Sequence, residues 1–204
     1  MINFSPENTG DSLQPLQALI AGGDEAAFRQ LFNLLFGKLT RFAHSLVKSD
    51  EVAADIVDGV FVRVWSNRIS IVSIGNLRVY LYRAVKNEAL NYLSRKAHLH
   101  IYEPFDDINI QLKDEMSPER LMITQELLNK IRAAVDALPP RCKMIFKLVR
   151  EDGLRYREVA DILNLSAKTV DAQMVIAIGR IREAMKEDLH LAAPGNVKKN
   201  IREA

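Results

Sequence analysis

Residues 156–172 read YREVADILNLSAKTVDA, and the folding of that stretch decides the architecture of the last quarter of the chain. A first helix is expected from Tyr156 or Arg157 to Leu163, with Val159 and Leu163 facing inward. Ala160 falls where two helices would cross closely, a place that a larger side chain would wedge open. Asn164-Leu165 supplies the turn, because asparagine tolerates the left-handed backbone region. Ser166 then caps a second helix, which Val170 packs against the first. In such a helix–turn–helix, Lys168, Thr169, Asp171, Ala172 and Gln173 stand near the start of the second helix, where side chains reach base edges in a major groove. Arg180, Arg182 and Lys186 farther along suit phosphates, which fix position rather than sequence. The run MVIAIG over 174–179 is too apolar for a wholly exposed face, so part of it should pack on the helix after Pro140.

The remaining residues must then be accounted for. A chain of 204 residues can build one large or two small domains with real cores. Its formal net charge of +2 does not by itself announce a nucleic-acid binder, so the argument turns on where the charge sits. A single cysteine, Cys142, excludes an internal disulfide and a cysteine-based zinc site. His44, His98, His100 and His190 form no metal set, since residues two apart do not share a helix face. No phosphate-cradling glycine loop is present, so neither an enzyme nor a cofactor is expected. No stretch of about 18 apolar residues occurs, and MINFSPENTG lacks a basic region before an apolar one. A soluble, cytoplasmic chain without stable membrane insertion is expected.

Before the quoted stretch nearly everything reads as helix. Asp24 can cap a helix whose apolar positions Phe28, Leu31, Phe32, Leu35, Leu39, Phe42 and Leu46 recur at three- and four-residue steps. Ser49 or Asp50 can cap the next, with Ile56, Val57, Val60, Phe61, Val64 and Trp65 as its stripe. The β-branched piece ISIVSI is too short and isolated to build a sheet. Asn76 can cap a third long helix running to about Ala97. That helix carries Arg78, Arg83, Lys86, Arg95 and Lys96 against one Glu88, with Tyr80, Tyr82 and Tyr92 interleaved. Cations reward phosphates and aromatic faces stack unpaired bases, a combination suited to single-stranded DNA.

Between Glu103 and Glu119 six carboxylates stand against one Lys113, which reads as a linker. Ser117-Pro118-Glu119 restarts helix, Pro139-Pro140 breaks it, and Gly153 offers a left-handed cap. The expected fold is all-α: two small helical domains joined by a flexible acidic linker, the second a helix–turn–helix. The boundaries are a disordered tail over 1–12, a first domain over 13–100, the linker over 101–117, a second domain over 118–190 and a tail over 191–204.

In order and spacing, GDEAAFRQLF, LTRFAHSLV, AADIVDGVFVRVW, YLYRAVKNEALNYLSRK and LPPRCKMIFKLVREDGLRYREVADILNLSAKTVDA resemble successive segments of bacterial RNA polymerase sigma factors of the extracytoplasmic-function (ECF) group, in the sigma-70 superfamily. The resemblance spans about Leu16 to Lys186. It implies an alternative sigma factor that binds core polymerase and directs promoter recognition, DNA melting and initiation, without catalysis. Its implied partners are the polymerase β′ clamp helices and β flap, promoter DNA both duplex and single-stranded, and an inhibitory anti-sigma factor. By position, Asp55, Asp58, Phe61 and Trp65 match the polymerase-docking segment, with the carboxylates expected outside and the two aromatics in the core. Asp58-Gly59 replaces the family's usual Gln-Glu pair. Ser73 and Asn76 match the loop that captures a flipped base. Tyr80, Arg83, Lys86, Asn87, Asn91, Tyr92, Arg95 and Lys96 match the downstream-element helix. Ser166, Lys168, Thr169, Asp171, Ala172, Gln173 and Arg180 match the upstream-element reader. The alternative is a regulator with a LuxR-type DNA-binding end, which would bring an α/β first domain.

Overall fold

The computed structural model describes residues 13–97 and 121–186. The expected linker, both tails and the helix start at Ser117-Pro118 lie outside these residues. Among the described residues there are eight α-helices, one 3-10 helix and no strand.

Helices α1 (Gln14–Ala21), α2 (Glu25–Val47), α3 (Asp50–Ser66) and α4 (Leu77–Ala97) form the first unit. Each start has a local cause. The Asp24 carboxylate accepts from the N–H groups of Ala26 and Ala27 at 2.8 and 3.0 Å, opening α2. Ser49 Oγ accepts from Val52 N–H at 3.4 Å, opening α3. Asn76 Oδ1 accepts from Val79 N–H at 3.1 Å, opening α4. These side chains satisfy backbone donors that a helix start leaves without partners. The apolar stripe of α2 then buries Leu31, Leu35, Leu39 and Leu46 against Val57, Val60, Phe61 and Val64 of α3 and Leu81, Val85 and Ala89 of α4. Phe61 also meets Phe32 with ring centroids 4.9 Å apart and Phe28 edge-on at 6.0 Å. Truncating Leu39 to alanine in this core should cost about 2–5 kcal/mol.

The piece ISIVSI is neither strand nor loose loop: Arg68–Ser73 is a 3-10 helix. The buried Gln17 of α1 holds it, donating from Nε2 to the carbonyls of Ile71 and Ile74, both at 2.9 Å. One amide thus fixes the loop from which α4 departs.

The second unit comprises α5 (Leu121–Asp136), α6 (Pro140–Arg150), α7 (Tyr156–Leu163) and α8 (Ala167–Ala184). Ile145, Leu148, Val159, Ile162, Val170 and Met174 are its buried centre. A second cluster, Val135, Leu138, Cys142 and Ala177, seats α5 and α6 on α8. Met174 and Ala177 are the inward part of the MVIAIG run, while Val175 and Ile176 stay exposed. Lys143, almost fully buried, keeps its charge partnered by Asp136 at 3.0 Å.

The sequence suggests two helical domains joined by a flexible acidic linker and leaves their contact open. In the structure the units touch: α4 packs on α7, and α2 shares a small crevice with α6. Residues of both units belong to one continuous buried apolar cluster.

Candidate nucleic-acid interface

The start of α8 is built as the sequence suggests. Asn164 adopts φ 54°, and Leu165 N–H closes the turn onto the Ala160 carbonyl at 2.9 Å. Val159 and Val170 have no exposed surface and Ala160 only 5%, so the two helices meet closely there. Ser166 Oγ accepts from Thr169 N–H at 3.0 Å and lies 2.8 Å from the Thr169 hydroxyl. With that cap fixed, Lys168, Asp171, Ala172 and Arg180 are exposed, and Thr169 and Gln173 are half-buried. Gln173 also anchors the helix from behind, its carbonyl lying 3.3 Å from the Cys142 thiol. Burial raises the pKa of that thiol, against the opposing pull of Arg180. Cys142 is therefore a packing residue held as the neutral thiol.

On α4, Tyr80, Arg83, Asn87, Asn91 and Arg95 follow one another at three- and four-residue steps and are all exposed. Such spacing puts them on one face. Tyr92 is half-buried with the Lys96 ammonium 6.0 Å from its ring centre, and Lys96 itself is exposed. Ser73 is exposed, its hydroxyl donating to the Ser70 carbonyl at 2.7 Å. Two expectations change. Tyr82 has no exposed surface and packs on Phe42 at 5.3 Å between ring centroids, so it is no stacking platform. Lys86 is buried at 7% exposure, with its pKa lowered first by burial and then by Arg83. It does not belong to the exposed stripe.

On α3, Asp55 and Asp58 are exposed, Phe61 is core, and Trp65 is half-buried against Phe28 at 4.9 Å. The Arg68 guanidinium lies 5.0 Å from the Trp65 ring centre. Trp65, Phe28, Phe32, Glu25 and Arg29 line a shallow groove of about 320 Å³. A side chain at Gly59 would meet nothing within 4 Å, so packing does not demand glycine there. Arg63 of α3 ties this helix to α4 through Glu88 at 3.0 Å.

Sequence reasoning missed Gln17, Asp152 and Glu158. Glu158 accepts from Arg155 N–H at 2.8 Å and from Asn76 Nδ2 at 2.7 Å, joining the starts of α7 and α4. Its place three residues into α7 marks it as a helix-start acceptor, but nothing local points to Asn76. Among the described residues no group of three or more His, Cys, Asp or Glu side chains could hold a metal ion, and no helix is long and apolar enough to cross a membrane.

Comparison with known proteins agrees with this division. Residues 31–98 match the family model "Sigma-70 region 2" and residues 128–177 match "Sigma-70, region 4". Together these cover more than half of the chain. The chain belongs to the sigma-70 family, in its ECF group. The ECF RNA polymerase sigma-E factor of Escherichia coli (strain K12) is 28% identical over 179 residues, 84% of this chain and 91% of that protein. The RNA polymerase sigma-H factor of Pseudomonas aeruginosa PAO1 is 25% identical over 201 residues, 89% of this chain and 95% of that protein. Two solved structures share the fold. CnrH in complex with the cytosolic domain of CnrY has a TM-score of 0.53 at 20% identity, covering 86% of this chain and 97% of that one. The sigma factor RpoE in complex with the anti-sigma factor NepR, from Bartonella quintana, has a TM-score of 0.53 at 20% identity, covering 79% and 98%. This ECF factor is an alternative sigma factor, a non-enzymatic protein that directs promoter recognition in transcription initiation. The LuxR-type alternative finds no support, since region 2 matches the first unit, which has no strand among its described residues.

Proposed function

We propose that this sigma factor docks on core RNA polymerase through α3 and holds the promoter at two places. Asp55 and Asp58 meet basic residues of the β′ clamp helices, while Phe61 and Trp65 keep that helix seated on α2. The second unit lies against the β flap. Its α8 reads the upstream element with Ser166, Lys168, Thr169, Asp171, Ala172, Gln173 and Arg180. The loop at Ser73 and Asn76 with the exposed face of α4 engages the downstream element. Capture of unpaired bases favours the open strand, so melting draws on binding rather than nucleotide hydrolysis.

One observation carries the reading: Tyr80, Arg83, Asn87, Asn91 and Arg95 form an unbroken exposed stripe of one aromatic, two cations and two amides along α4. A stripe that only solubilised the helix would not need an aromatic and amides in line with its cations. By likeness to the RpoE–NepR complex, an anti-sigma protein restrains this chain, and its working compartment is the cytoplasm. Transcription from a genomic template library with added core polymerase tests the proposal. Initiation at a defined promoter set is expected; none at any template overturns it.

A further inference from the structure

The 3-10 helix between α3 and α4 is long for its kind and has little apolar anchoring of its own. It runs for six residues, Arg68–Ser73, whereas such helices uncommonly exceed three or four. Ile71 is its one buried residue, while Ile69 and Val72 are 80% and 59% exposed. Arg68 holds the near end, donating from Nη1 to the Trp65 carbonyl at 3.3 Å. The far end, which leads into α4, depends on a side chain from elsewhere in the chain.

That side chain is Gln17 of α1, 54 residues earlier than Ile71 and only 4% exposed. Its Nε2 donates at 2.9 Å to the carbonyls of both Ile71 and Ile74, which bracket Val72 and Ser73. The Ile71 carbonyl also accepts from Ile74 N–H at 3.0 Å, so the amide sits on the bond that closes the last turn. Two residues beyond Ile74, Asn76 caps α4. One buried amide therefore sets where the exposed Val72–Ser73 edge stands and how the chain enters α4. An apolar side chain of similar length would fill the same space and hold neither carbonyl. A site that reads an extruded base by shape and hydrogen bonding needs its groups held within about 0.5 Å.

We propose that Gln17 is a positioning residue for base selection. By fixing the carbonyls on either side of Val72 and Ser73, it keeps the capture loop in register and so determines how sharply one unpaired base is preferred over the others. The inference rests on the proposed role of Ser73 and Asn76 in base capture.

Two variants of the full chain remove the donor while keeping the bulk, Gln17→Met and Gln17→Glu; the second sets an acceptor against two acceptors. Hydrogen exchange in the free chain reads the clamp without reference to DNA. The amides of Ser70 and Ile74, which close the 3-10 turns, should exchange at least about tenfold faster in both variants. Base selection is read with core polymerase on templates carrying each of the four bases at every non-template position of the downstream element. The spread in initiation between the best and the worst base at the most selective position should shrink at least about fivefold, with polymerase association unchanged. Leu39→Val, a substitution in the α2 core, lowers stability but leaves the clamp in place and should keep that spread. Should circular dichroism show one Gln17 variant unfolded, the other decides. Unchanged exchange at Ser70 and Ile74 overturns the clamp and the proposal with it. Faster exchange with an undiminished spread overturns the positioning role and leaves the proposed function standing, and so does an equal loss of spread in Leu39→Val. If the chain carrying Gln17 never initiates at any template, the proposed function falls, and the role in base selection falls with it.

Discussion

Helix α8 begins on Ser166, bonded only within its own turn, and holds Lys168, Asp171 and Ala172 out in solvent. Helix α4 begins on Asn76, whose amide already serves Glu158 of the other unit. Both helices are capped locally, and the exposed faces of both carry side chains that suit DNA. In the proposed roles the upstream grip stands clear of the other unit, whereas the first turns of the downstream grip line a cleft shared with Arg157, Glu158 and Asp161. The difference lies in packing between units rather than in either helix.

The largest expected effect tests α4 from Arg83, on the cleft wall, to Tyr92 farther along. Arg83→Ala with Tyr92→Ala removes one cation and one aromatic, together roughly 2–4 kcal/mol of preference for unpaired DNA. Open complexes with core polymerase, read by permanganate reactivity of unpaired thymines, should fall about 30-fold or more while closed binding changes little. Equal loss in both would place these residues in duplex binding instead. On the other side, Lys168→Ala should weaken upstream-element binding by about 1–2 kcal/mol and leave polymerase association intact. Loss of polymerase association would break the division of labour between the two helices.

A pH series sharpens the comparison, because the α4 contact carries a titrating group and the α8 cap does not. Burial pushes Asp152 from 3.8 up to about 6, against the opposing influence of Tyr82, Lys38 and Arg41, with Glu151 adding to the rise. Lys147 borders the same crevice from α6. An acid whose pKa rises on closing binds more protons in the closed form. Closure is therefore favoured at low pH and weakens as pH rises through the window from about 4 to 6, then levels off. Between pH 5 and pH 7 the closing equilibrium should fall about tenfold. Spin labels on Ser94→Cys and Ala133→Cys, exposed positions in the two units, read this as a distance, and Asp152→Asn should flatten the profile. A flat profile in the chain that keeps Asp152 would remove that residue from the contact.

Much of the fold is legible because its causes are local. Asp24, Ser49, Asn76 and Ser166 cap helices whose donors lie two or three residues away, and Asn164 takes its left-handed turn beside them. The burial of Tyr82 and Lys86 had a local signal too. Val79, Tyr82, Lys86 and Ala89 recur at three- and four-residue steps and are all buried, a line opposite to the exposed stripe. Counting the cations and aromatics of α4 together hid that division. The Gln17 clamp and the Asn76–Glu158 bond had no such signal, because their partners lie 54 and 82 residues away. Nothing in a run of charges between Glu103 and Glu119 says whether the units it connects will touch.

The smallest expected effect separates the anchoring of α4 within its own unit from its contact with the other. Arg63 and Glu88 tie α3 to α4 at 3.0 Å, with the arginine side chain 53% exposed. An ion pair this open contributes no more than about 1 kcal/mol, less at high salt. The rest of the α3–α4 contact is apolar, including Val60, Val64, Leu81 and Val85, and does not depend on it. Arg63→Ala should therefore lower the melting temperature by at most a few degrees, about 2–4 °C. It should leave the distance between the labelled units where it was. Glu158→Ala also removes a polar contact to the α4 region, but one that crosses between the units. If Arg63→Ala parted the units, the position of α4 within the first unit would control that contact, and the Asn76–Glu158 bond would not be what holds it.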